Sequence, residues 1–177
     1  MSKSIFKLGS LILLLTLVCA CKTDVSNVVS EFETNKPFLG AWEMVSIEWI
    51  TKDTTYSIMQ AQPGLFTFTD TRYSIMWTPT EEPRAAFKLL SDPTEEEIIA
   101  GFRSVIFNGG KYASTDSTIT TTANIAKVPG FEGGKQFYNY EVKGETMILT
   151  MHDETYPNGD KPTWSGEYQT RFTMKKS

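Results

Sequence analysis

The chain has little cysteine and less histidine. Only two of its 177 residues are cysteine, Cys19 and Cys21, and only one is histidine, His152. No cysteine follows Cys21, so no disulfide can staple the rest of the chain. A Cys/His zinc site is excluded for want of ligands. No spaced Asp/Asn/Gly loop of the calcium-binding kind occurs either, and no motif asks for a cofactor. Basic charge is also short: 17 Lys and Arg stand against 21 Asp and Glu, a net charge of −4 with no basic stripe. That excludes a nucleic-acid partner, which requires a positive face. The longest apolar run, residues 8–20, is too short for a comfortable membrane span. Internal repeats and low-complexity segments are missing.

What remains is a chain of 40% hydrophobic and 12% aromatic residues, enough for one domain with a sizeable core. Its first 20 residues read as an address. Lys3 and Lys7 precede the apolar run, the order of a secretory signal. The run ends Leu17-Val18-Cys19-Ala20-Cys21. This resembles a bacterial lipoprotein box, with Cys19 and Val18 departing from the commonest residues. The resemblance implies cleavage before Cys21, acylation of that residue and attachment to a membrane of the bacterial cell envelope. An ordinary signal peptide with an incidental cysteine is the plainer alternative. Stable anchoring needs more than one acyl chain, at ~0.8 kcal/mol per buried methylene. Residues 21–37, mostly polar, read as a flexible tether.

From residue 38 to 177 the pattern is that of a β domain. Eight runs alternate or are rich in β-branched and aromatic residues: 38–50, 65–69, 72–78, 111–115, 118–126, 135–142, 145–151 and 166–174. In the first run Trp42, Met44 and Ser46 share one face, and Val45, Ile47 and Trp49 the other. Residues 51–54, 70–71 and 143–144 read as turns, the last using Gly144 for positive φ. One helix interrupts the series. Asp92-Pro93-Thr94-Glu95 has the form of a cap, a first-turn proline and a capping box. Ile98, Ile99, Phe102, Val105 and Ile106 then recur at helical spacing, which predicts a helix over 93–107 ended by Asn108-Gly109-Gly110. An antiparallel barrel is the way such a strand set removes its edges.

Gly40-x-Trp42 at the start of the first strand, with Arg171 near the end of the last, resembles the lipocalin (calycin) signature. The inserted helix, together with Leu39-Gly40-Ala41-Trp42, Pro63-Gly64 and Gly110-Lys111-Tyr112, resembles the lipocalin-like domain family of bacterial proteins across roughly residues 38–151. The resemblance implies an all-β fold: an eight-stranded antiparallel up-and-down barrel with one helix between strands three and four. It also implies that Gly40, Trp42 and Arg171 are structural. The Trp42 indole would close one end of the barrel, with Arg171 stacked on it, a cation–π contact of about 0.5–2 kcal/mol.

Phe66, Phe68, Tyr73, Trp77, Tyr112, Tyr138 and Tyr140 are candidate linings for a ligand pocket. They suit a small hydrophobic molecule, since eight strands enclose little space. Aromatics at alternate strand positions are equally ordinary core. Phe102 joins the candidates if the helix lies over a barrel end as a lid. His152-Asp153-Glu154 offers a His–carboxylate pair, but neighbours in a loop seldom face one another and no catalytic residue is assigned. Glu95-Glu96-Glu97 suits the positive end of the helix dipole rather than a metal. Three functions compete. The leading one is a membrane-anchored binding protein for a small hydrophobic molecule. The others are an interaction or structural lipoprotein with a filled barrel, and a small barrel enzyme such as an isomerase. A continuous cavity favours the first, a solid core the second, and a perturbed carboxylate inside the cavity the third.

Overall fold

The structure, a computed structural model, describes residues 36–177. The expected signal segment, Cys21 and nearly all of the expected tether lie outside the described residues.

Among the described residues nine strands and one helix follow in order: β1 (Gly40–Thr51), β2 (Thr55–Ile58), β3 (Leu65–Phe68), β4 (Arg72–Trp77), α1 (Glu95–Arg103), β5 (Ile106–Ser114), β6 (Thr118–Ala126), β7 (Lys135–Lys143), β8 (Thr146–Thr155) and β9 (Tyr168–Lys176). Neighbouring strands pair antiparallel, and β1 closes on β9. One edge of β1 is shared: residues 40–43 pair with β3 and residues 47–50 with β2. The short β2, which is not among the eight runs read from the sequence, therefore extends the β3 stave. The result is an all-β, up-and-down, eight-stranded closed barrel without a free edge through its waist.

Three bulges set which side chains enter the barrel. In β1 the register against β9 slips between Met44 and Ser46. A bulge inserts one residue and reverses the in–out alternation beyond it. Trp42, Met44, Ile47 and Trp49 consequently all belong to the interior, whereas strict alternation assigned them to two faces. In β5–β6 the slip falls at Gly109/Gly110, where β6 carries the extra residue Asn124. In β7–β8 it falls at Phe137/Tyr138, and His152 is left without a partner in the ladder.

One end of the barrel is solid. Phe38, fully buried just before β1, lies edge-on to Phe68, Tyr112 and Tyr140, with ring centroids 5.5, 5.6 and 4.9 Å away. Trp42, also fully buried, donates its Nε1–H to the Phe38 carbonyl at 2.7 Å, drawing the approach segment across the floor. Tyr112 seals the rim by donating to the Thr69 carbonyl at 2.7 Å.

The assignment of Arg171 to this floor is corrected. On β9 the residues Tyr168, Thr170, Phe172 and Met174 point inward, so Arg171 points out. Its register partner is Glu48, and their side chains meet at 3.3 Å. Trp42 is instead opposite Lys176, whose Nζ stands 5.6 Å from the indole centre. As a half-exposed ion pair, Arg171–Glu48 contributes about 0.2–1 kcal/mol.

The helix is shorter than the spacing predicts, and its cap is two residues later. Thr94, not Asp92, is the N-cap: its Oγ1 accepts from Glu97 N–H at 3.3 Å, and Glu97 accepts from Thr94 N–H at 2.9 Å. Ser104 ends the helix, and Ile106 to Gly110 run on as strand. None of the helical residues is buried, and Phe102 is 46% exposed. The expectation that the apolar face plugs the barrel is therefore corrected. The helix is held from the side: Glu97 accepts from Lys88 N–H at 2.8 Å, and Arg84 donates to Ser104 Oγ at 2.8 Å. The loop before the helix takes up its polar and small groups, so no fit to the barrel mouth is required.

Candidate functional site

The end of the barrel opposite Phe38 contains a cavity of about 420 Å³. Ile75, Trp77, Met151 and Phe172 form its apolar wall. Trp77 and Phe172 meet edge to face at 5.0 Å. Trp49, Phe131, Tyr156, Trp164 and Tyr168 ring the outer part, with Trp164 stacked on Tyr168 at 5.3 Å. Trp164 belongs to the β8–β9 loop, which Asp153 pins down: its carboxylate accepts from Lys161 Nζ at 2.6 Å and from Ser165 Oγ at 2.7 Å. Those two donors hold the Asp153 carboxyl below its ordinary range.

Among this apolar lining lies a connected set of polar groups. Gln136 Nε2 donates to Glu154 Oε2 at 2.7 Å. Gln136 Oε1 accepts from Tyr138 Oη at 2.9 Å and from Asn108 Nδ2 at 3.2 Å. Asn108, Gln136 and Tyr138 are all buried, and Glu154 partly so. The third bulge explains how a carboxylate arrives there. Leu149 and Met151 point inward on β8. Strict alternation would turn Asp153 inward next, but the extra His152 hands that place to Glu154, opposite Gln136. His152 itself lies beside the Phe137 ring, 6.5 Å between centroids.

Burial governs the electrostatics. Removal from water raises the Glu154 carboxyl above its ordinary range, an effect that the Gln136 hydrogen bond partly offsets. Burial also raises the Tyr138 hydroxyl, with Tyr73 and Glu154 adding to it. Tyr73 is pushed up to about 12 by burial; its hydroxyl has Thr121 as a neighbour but no hydrogen-bond partner of good geometry.

Because its pKa is raised in the folded state, Glu154 favours folding when protonated. That contribution is complete below the unfolded carboxyl pKa and is lost as pH rises through the folded one. Glu154→Gln, which cannot ionise, is therefore expected to melt higher than the parent at about pH 8, with the difference shrinking toward about pH 4. Thermal melts across that range check it.

The predicted pocket residues divide. Trp77 and Tyr138 line the cavity. Phe66, Phe68 and Tyr73 are buried in the core without lining it. Tyr112 and Tyr140 serve the closed end around Phe38. Phe102 is out on the helix, where Lys127 Nζ stands 4.6 Å over its ring and donates to its carbonyl at 2.9 Å. Asn108, Gln136 and Glu154 were missed. Gln136 was within reach, since it alternates with Tyr138 and Tyr140. Asn108 was hidden in a supposed helix end, and Glu154 behind a bulge.

Comparison with curated proteins finds no match to the chain. A family model described as a lipocalin-like domain matches residues 39–176, nearly the whole barrel from the floor to the end of β9. By that match, and by its closed antiparallel barrel with the helix between β4 and β5, the chain belongs to the lipocalin-like domain family.

Proposed function

We propose that this protein is a lipoprotein of the bacterial cell envelope whose barrel binds a small, largely apolar molecule. The observation that carries the reading is the cavity: about 420 Å³, at one end only, walled by aromatic side chains around a few convergent polar groups. Ligand sites have this composition, at roughly 300–1,000 Å³. A cavity of that size also speaks against the filled-barrel alternative. Trp49, Trp77 and Trp164 in the lining supply a built-in reporter. Titration with N-phenylnaphthylamine, an apolar fluorescent probe, is expected to quench tryptophan emission with a Kd on the order of micromolar. A folded protein that neither quenches nor enhances the probe contradicts the reading.

The anchor rests on the Ala20-Cys21 box. Cys21→Ser is expected to shift the protein from the detergent-rich to the aqueous phase on phase partition, or to stall its processing. Unchanged partition with unchanged processing contradicts the lipoprotein part alone.

One observation favours a second reading, a small barrel enzyme such as an isomerase: the raised carboxyl of Glu154 sits inside the cavity, linked to Tyr138 through Gln136. Recovery of the natural ligand chemically unchanged after prolonged incubation supports binding; recovery as an isomer supports catalysis.

A further inference from the structure

The polar cluster has a direction. Glu154 in its ionised form offers only acceptors, so Gln136 must turn its NH2 toward it. Gln136 Oε1 then faces the other way and is filled by two donors, Tyr138 Oη and Asn108 Nδ2. The Asn108 amide is thereby oriented too, and its Oδ1 is left buried with no hydrogen-bond partner. A buried acceptor left unmade is costly, and such atoms are nearly always satisfied by something. Asn108 is 3% exposed and belongs to the cavity lining. The carboxylate of Glu154, in the same lining, adds negative charge. The one cation of the lining, Lys127, is committed at the rim to the Phe102 carbonyl and ring.

On the reading of the cavity as a ligand site, we propose that its occupant carries a hydrogen-bond-donating head group, an alcohol or a primary amine, that docks on Asn108 Oδ1 and Glu154, and that the site rejects carboxylates. The body of the ligand lies against Trp77, Phe172 and Ile75. Fatty acids and aromatic acids are then poor ligands despite their apolar bodies: their head groups bring acceptors and negative charge to a place that already holds both.

Three probes with one body separate the possibilities: naphthylmethanol, naphthylmethylamine and naphthoate, titrated calorimetrically into the full-length protein near neutral pH. The alcohol and the amine are expected to bind at least about tenfold more tightly than the acid, the size of an unmade buried hydrogen bond. Glu154→Gln should narrow the gap between amine and acid. Asn108→Leu should weaken the alcohol without weakening unsubstituted naphthalene, a control that also reports whether the variant keeps its cavity. Equal binding of all three probes overturns the head-group inference and leaves the binding function standing. Tighter binding of naphthoate, lost in Lys127→Met, overturns it in favour of an anion site. Failure of every probe and of naphthalene itself overturns both the inference and the binding reading.

Discussion

Trp42→Ala is expected to lower stability by about 3–5 kcal/mol, the usual range for removing a buried Trp. Against a total of roughly 5–15 kcal/mol, that leaves a marginal or unfolded domain. The indole is fully buried, and its Nε1–H holds the Phe38 carbonyl at 2.7 Å. Its removal opens the floor and frees the segment that carries Phe38, around which three further aromatic rings are arranged. Trp42→Phe keeps most of the volume and loses the hydrogen bond, a loss of about 0.5–1.5 kcal/mol from that bond. Urea midpoints should rank the parent, Trp42→Phe and Trp42→Ala in that order. A Trp42→Ala midpoint equal to the parent's contradicts the floor assignment.

Gly110→Ala is the second severe change, although only one methyl is added. Gly110 sits at the β5–β6 bulge, where the two backbones approach closely. A Cβ there would collide with the carbonyl oxygen of Thr122 and stand 2.7 Å from the Asn124 nitrogen. Backbone cannot rotate away as a side chain can, so the ladder must open. Overpacking of this kind costs roughly 1–3 kcal/mol, and more for a larger residue such as Val. Gly109→Ala is the internal control: its nearest contact would be the Tyr73 carbonyl at 3.2 Å, a smaller adjustment. Equal melting points for the two alanine variants would show that the bulge is not the constraint. The same bulge keeps Ala126 paired with Asn108 in one wall of the cavity, so its loss would also disturb the binding end.

The barrel was legible because its signals are local and repeated. Thr118–Ala126 has the same bounds in the alternation and in the structure, and the Leu65–Phe68/Arg72–Trp77 hairpin differs from its expected form by one residue at the C-terminal end of each strand. The β7–β8 turn is displaced by one position, to Gly144-Glu145, with Gly144 at φ 58° as a left-handed turn residue requires. The failures of facing have one physical origin. Period-two reading assumes that no residue is inserted, and this barrel inserts three, at Val45, Asn124 and His152. Each insertion reverses the faces beyond it. That is why strict alternation sets Trp49 on the face away from Trp42; Glu154 is instead read as loop, because the expected run stops at Met151 while β8 continues to Thr155. The supposed Trp42–Arg171 stack failed for a related reason: the signature fixes which residues recur, while register and strand parity decide which ones meet. The helix failed at its end, where Ile106 and Phe107 continue an apolar helical spacing and are equally good strand residues.

On the proposed function the cavity itself, rather than the outer surface, takes up the ligand. Ala126 lines it with a small side chain, so Ala126→Trp should fill it from one wall. The decisive measurement is a calorimetric titration of parent and Ala126→Trp proteins with N-phenylnaphthylamine, alongside their melting curves. A single binding site in the parent that disappears in a variant still melting cooperatively is the result expected. Binding of equal affinity in both proteins, or no binding in a folded parent, would contradict it.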